Sequence, residues 1–144
     1  MKESTVKKID NFFEKNPIAK GIPATEKQIR EAENKLKIRF DNDYIFFQLR
    51  YGGSMIGAKE IYGFHNSELM EEDSIVELTK SYRENEDSFM DCLNIGTDYS
   101  GNFVCINKEG NVVVYDHDFG EHKILANTFE RYILDELDNI NEQN

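Results

Sequence analysis

Residues 103–115 read Phe103-Val104-Cys105-Ile106-Asn107-Lys108-Glu109-Gly110-Asn111-Val112-Val113-Val114-Tyr115. Two apolar runs, rich in β-branched and aromatic side chains, flank a short polar turn, the pattern of a β-hairpin. Gly110 can adopt positive φ there without steric cost. Neither run alternates apolar with polar residues, as a strand with one wet face would. Both faces therefore need cover, and helices must pack against at least one side of this sheet.

Helical patterns lie on both sides of the hairpin. Val6, Ile9 and Phe13 form one apolar face over residues 3–15, and Asn16-Pro17 ends that helix because the residue before proline is driven out of the helical region. After a loop over 16–24, Thr25 and Gln28 have capping-box spacing, and Ile29, Ala32 and Leu36 form the next stripe. Asp41 caps a third helix to about Arg50, with Tyr44, Phe47 and Tyr51 on one face and Gly52-Gly53 as its stop. The period then shortens. Residues 58–64 fit a short strand that could be an exposed sheet edge, and residues 65–73 an acidic loop. Ser74 and Glu77 open a fourth helix with Ile75, Leu78 and Tyr82 inward to about Arg83, and residues 84–88 form a loop. Leu93 to Gly96 fits a strand before the hairpin. The last helix starts near Asn127 and buries Phe129, Ile133, Leu137 and Ile140, and the tail 141–144 should fray. The order predicts an α+β fold, an antiparallel sheet with helices packed against it. No Gly-rich phosphate loop follows a strand.

The 144 residues suit a single domain spanning 1–144, and 39% hydrophobic content with ten Phe and seven Tyr is enough for a packed core. The net charge is −11. Residues 1–40 carry ten Lys and Arg against six Asp and Glu, a balance of +4; residues 41–144 carry seven against 22, a balance of −15. A net anion repels nucleic acid and anionic membrane surfaces, so direct binding to either is not expected. Two readings of the acid excess stand. The acids decorate solvated faces, which composition alone favours, or they present a negative field to a basic protein partner. No apolar run is long enough for a membrane helix, and residues 1–4 lead into a charged amphipathic stretch rather than a signal-peptide core. The expected location is the cytoplasm.

Few constellations could carry chemistry. Asp116-His117-Asp118-Phe119-Gly120-Glu121-His122 is dense in metal-ligand types, but its two His are five apart and the segment reads better as a polar turn. Asp98, Ser100, Asn102 and Glu109 match calcium-loop positions, yet Phe103 stands where the sharp turn needs glycine. The simpler reading is that these side chains hydrogen-bond their own turn. Ser100 lacks a nucleophile elbow, and Cys92 and Cys105 sit in or beside apolar strands, where a thiol is inert. Phe12, Phe46 and Phe47 read as core aromatics. No cofactor, no metal and no catalytic residue is expected. The acids Glu68, Glu71, Glu72 and Asp73 form the cluster best placed to be both exposed and functional.

Three ordered blocks resemble the SUKH superfamily, which includes bacterial immunity proteins and a fungal regulator of cell-wall synthesis. The first is Ile29-x-x-Ala32-Glu33-x-x-Leu36. The second is Phe40-x-x-x-Tyr44 followed by Tyr51-Gly52-Gly53. The third is Gly96-x-Asp98-x-Ser100-Gly101-Asn102, then the hairpin, then Val114-Tyr115-Asp116-His117-Asp118 and Ala126-Asn127-Thr128-Phe129. The resemblance covers about residues 25–137 and places the domain core at about 25–140. Thr97 and Tyr99 depart from the family's more usual Asp-Gly-Ser-Gly-Asn run. The resemblance implies a binding module rather than an enzyme: an immunity protein that neutralises a cognate polymorphic toxin, with a nuclease the favoured class. Carboxylates can occupy a basic nuclease cleft as a nucleic-acid mimic. The contact candidates are Glu68, Glu71, Glu72, Asp73, Asp98, Asp116, Asp118 and Glu121. The alternative is a regulatory scaffold for an endogenous protein partner. A monomer or weak homodimer is expected.

Overall fold

The hairpin forms, with Val104 opposite Val114, Cys105 opposite Val113 and Ile106 opposite Val112. It is the centre of the architecture in a computed structural model that describes residues 1–85, 91–116 and 118–142. The described elements run α1 (Glu3–Lys15), a 3-10 turn (Pro17–Ala19), α2 (Glu26–Leu36), α3 (Asn42–Tyr51), β1 (Ser54–Ile56), β2 (Lys59–Ile61), α4 (Ile75–Asn85), β3 (Leu93–Thr97), β4 (Phe103–Ile106), β5 (Val112–Asp116), β6 (Glu121–Ala126) and α5 (Phe129–Glu142). Strands β3-β4-β5-β6 form an antiparallel meander, and β1-β2 a separate antiparallel hairpin. The fold is α+β.

Cover on both faces of the sheet explains its unbroken apolar strands. Val104, Ile106, Val112 and Val114 join the main core with Ile9 and Phe13 of α1, Ile29, Ala32 and Leu36 of α2, Tyr44 and Phe47 of α3 and Phe129 and Ile133 of α5. The alternate residues Phe103, Cys105 and Val113 pack with Cys92 and the fully buried Tyr82 of α4 on the other face. The Thr25–Gln28 capping box is present, and Asp41 caps α3 through the Asp43 and Tyr44 amides. Ser74 and Glu77 exchange the reciprocal bonds at the start of α4.

Several expectations are corrected. The segment 58–64 is strand only over Lys59–Ile61. It lies between β1 and β3: Tyr62 N donates to Ile95 O at 2.9 Å, and Glu60 packs on Gly96. The outer strands of the meander are β3 and β6, and β6 is an element the apolar pattern does not announce. Phe46 is exposed on the outer face of α3, while Phe47 is fully buried and Phe12 half-buried. The last helix is capped one residue later than Asn127, by Thr128 Oγ1 on the Arg131 amide at 3.0 Å. Residues 86–88 of the expected 84–88 loop and residues 143–144 of the expected frayed tail lie outside the described residues. Among the described residues, no helix is long and apolar enough to cross a membrane.

Candidate functional site

Meander topology brings the acidic turns together. The β3–β4 turn, which carries Asp98, and the β5–β6 turn, which carries Asp118, fall at one end of the sheet, while the β4–β5 turn falls at the other. That other end meets α3, where a Cβ on Gly110 would lie 3.4 Å from Asp41 Oδ1. The loop bearing Glu68, Glu71 and Glu72 reaches the first end through Asp73. Asp73 shares a cleft with Thr97, which ends β3, and Phe103, which begins β4.

Asn66 determines the shape of that loop. Its Oδ1 accepts from Gly63 N at 2.9 Å, and its Nδ2 donates to Glu71 O at 3.0 Å and Asp73 O at 2.8 Å. The main chain is thereby tied down while the side chains of Glu68, Glu71, Glu72 and Asp73 stay exposed. Gly53 makes room for the arrangement, because a Cβ there would overlap Asn66 Oδ1. The double glycine thus permits close approach as well as ending α3. Gly52 has φ +74° with extended ψ, not the left-handed helical conformation of a typical glycine cap.

The predicted contact residues divide into two groups. Asp98 Oδ1 accepts from the Ser100 and Asn102 amides, both at 2.9 Å, so this carboxylate holds its own turn. Asp116 behaves likewise, accepting from Asp118 N at 2.9 Å and Phe119 N at 3.4 Å and pairing with Lys123 at 3.3 Å. Desolvation pushes the Asp116 carboxyl up, but these hydrogen bonds together outweigh it and hold the group below its ordinary value. The carboxylates of Glu68, Glu71, Glu72, Asp73, Asp118 and Glu121 are exposed, and among the described residues none of them is in an ion pair. Exposed charges without an ion-pair partner contribute little to the stability of the fold.

Sequence reasoning missed the apolar companions of these acids. Tyr99 is fully exposed in the β3–β4 turn, Phe119 is 73% exposed in the β5–β6 turn, and Leu69 is exposed between Glu68 and Glu71. An aromatic inside a run of turn residues was the available signal. Each acidic segment therefore offers a hydrophobe beside its charge, the combination found where interface anchors sit within a polar rim.

Among the described residues, no group of three or more His, Cys, Asp or Glu is placed to hold a metal ion. His117 lies outside the described residues. His122 Nε2 lies 3.2 Å from Tyr82 Oη, and burial pushes the imidazole pKa down. Both cysteines are buried and free, with the Cys92 thiol pushed up to about 11 by burial and Cys105 higher still for the same reason.

A family model described as SMI1-KNR4 cell-wall, SUKH_5, matches residues 3–138. The chain belongs to the SUKH family. The match takes in α1, so the SUKH domain begins well before residue 25, where the three sequence blocks start. The packing explains why: Ile9 and Phe13 of α1 are part of the main SUKH core. No curated protein matches this SUKH chain.

Proposed function

We infer that this SUKH protein is an immunity protein that binds a cognate bacterial polymorphic toxin, with a nuclease toxin domain the favoured partner. It acts without turnover, in the cytoplasm, by occluding a basic active site. The observation that carries the reading is the convergence of exposed, unpaired carboxylates at one end of the sheet, with Glu68, Glu71, Glu72, Asp73, Asp118 and Glu121 as contacts. Asp98 and Asp116 belong to the same surface but serve it by holding the turns that present Tyr99 and Phe119. A nuclease cleft is lined with cations that grip phosphates, and such a surface complements it. Charge of this kind also raises association rates by roughly 10- to 1000-fold at low salt, which matters against a lethal partner.

Co-expression with the toxin encoded beside it tests the reading. Cells survive and a complex co-purifies if it holds. If cells die as fast with this protein as without it, and no complex forms, it fails. The family description, which names the cell wall, favours a second reading. In that reading the same surface binds an endogenous protein as a regulatory scaffold, and a gene with no toxin-like neighbour would support it.

A further inference from the structure

Strand β6 closes the meander on the side away from β3, and among the described residues β5 is its only strand neighbour. From Asp118 through Leu125 every residue except His122 is exposed. Three large hydrophobes lie in that stretch: Phe119 is 73% exposed, Ile124 61% and Leu125 45%. A register shift accounts for the adjacent pair. Val112 is opposite Ala126 and Val113 is opposite Ile124, so Leu125 is an extra residue with no partner on β5. Such a bulge re-aims side chains at a sheet edge. An outer strand with exposed apolar side chains is a template for one more strand.

The charges of β6 decide which strand fits. Opposite charges directly across a strand pair stabilise it, and like charges destabilise it. Lys123 therefore rejects a strand that sets a cation against it, and Glu121 rejects one that sets an anion against it. Lys123 holds Asp116 at 3.3 Å, yet its side chain stays 54% exposed and can take a second carboxylate. Glu121 is in no ion pair among the described residues.

Read against itself in the antiparallel direction, β6 meets both conditions. With His122 opposite His122, Glu121 of each copy faces Lys123 of the other, which gives two opposite-charge pairs about one two-fold axis. Moving Lys123 onto the axis sets two lysines together, and moving Ile124 there leaves Lys123 facing Leu125. Beyond the ladder, Phe119 and Gly120 come level with Leu125 and Ile124 of the other copy, an apolar flank at each end. Gly120 leaves room there, since the nearest heavy atom to a Cβ on it would be Tyr115 Oη at 3.9 Å. His122 adds no like charge on the axis at neutral pH, because burial pushes its imidazole pKa down.

We propose that β6 pairs antiparallel with β6 of a second copy of this chain, about a two-fold axis at His122, with Glu121 of each copy opposite Lys123 of the other. The two four-stranded meanders then form one continuous sheet. The ladder is short, so the dimer is weak. The pairing needs no toxin and goes beyond the immunity reading. Phe119 and Glu121 are common to both surfaces, so the test uses this chain alone.

Sedimentation of the full chain from about 10 µM to about 1 mM tests the pairing. The mass is expected to rise from monomer toward dimer, with NMR amide signals of residues 119–125 moving over the same range. Lys123→Glu and Glu121→Lys each set like charges opposite one another twice, and each should weaken dimerisation at least about tenfold. A cooperative unfolding transition shows that each variant is folded. In an equimolar mixture of the two variants, the introduced lysine of one faces the introduced glutamate of the other, and the native Lys123 and Glu121 they retain also face each other. The mixture should therefore dimerise as wild type does. A wild type that stays monomeric across the range, single variants that dimerise as well as wild type, or a mixture of folded variants that stays monomeric would each overturn the proposal. So would concentration-dependent shifts that map elsewhere and spare residues 119–125. Signals of β6 that move only on adding a toxin would assign this edge to that partner and overturn the pairing equally.

Discussion

At the scale of single residues, the acidic loop depends on side chains that fix its main chain. Asn66 ties two carbonyls of the acidic loop, and Gly53 leaves the space in which it does so. Gly53→Ala is expected to destabilise by about 1–3 kcal/mol, because the added methyl displaces Asn66 Oδ1 from its amide. Urea unfolding measures that cost, and hydrogen exchange at residues 71–73 should rise in the same variant. Asp10 supplies a pH-dependent residue. Its carboxylate binds Arg50 at 2.8 Å and accepts from Tyr51 Oη at 2.7 Å, joining α1 to α3. The hydrogen bond from Arg50, most of all, holds the Asp10 pKa below its ordinary value. A depressed native pKa stabilises the fold above the unfolded value of about 4 and loses that contribution as pH falls through the native one. The pair is solvent-screened, so Asp10→Asn should cost only about 0.5–1 kcal/mol at neutral pH and nothing at the acid end. Coinciding wild-type and variant stabilities at neutral pH would refute that. Neither Asn66 nor Asp10 was legible in the sequence. Their roles lie in contacts with distant segments, whereas the caps at Thr25, Asp41 and Ser74 act within three residues and could be read directly.

At the scale of elements, the buried helices and the central hairpin were legible because their burial has a period. The strands that escaped notice lack one. Strand β6 exposes Glu121, Lys123, Ile124 and Leu125 and buries only Ala126 fully, since it is an outer strand of the meander. Strand β1 has three residues directly after the double glycine, too few to show alternation. Lys123 on β6 is a charged edge residue, a feature that discourages edge-to-edge pairing. Helix α2 ends on Lys37 in the left-handed conformation, φ 57° and ψ 38°. Glycine removes the Cβ penalty there, so Lys37→Gly should raise stability by roughly 0.5–1 kcal/mol, visible as a higher thermal midpoint. At the other end of the same helix, Thr25→Ala removes the bond that Gln28 N donates to Thr25 Oγ1 and should cost about 1 kcal/mol by the same assay.

For the whole molecule, the sign of the charge was legible and its address was not. The balance of −15 on residues 41–144 does not say where the acids lie; meander topology puts the β3–β4 and β5–β6 turns at one end, and Asp73 shares a cleft with residues of that end. Neutralising Glu68, Glu71, Glu72 and Asp73 together as amides should leave stability within about 0.5 kcal/mol, since exposed unpaired charges contribute little to folding. The same change should slow association with a basic partner, and raising the salt should slow wild type toward the variant. The most direct measurement is the association of the purified chain with the toxin domain encoded beside it, followed as a rate at low and high salt for wild type and for this amide variant. A tight wild-type complex whose association rate falls with salt, and falls again in the variant, is the expected result. No complex, or one formed equally fast by both proteins at every salt concentration, would contradict the assignment of this acidic end as the surface that neutralises a toxin.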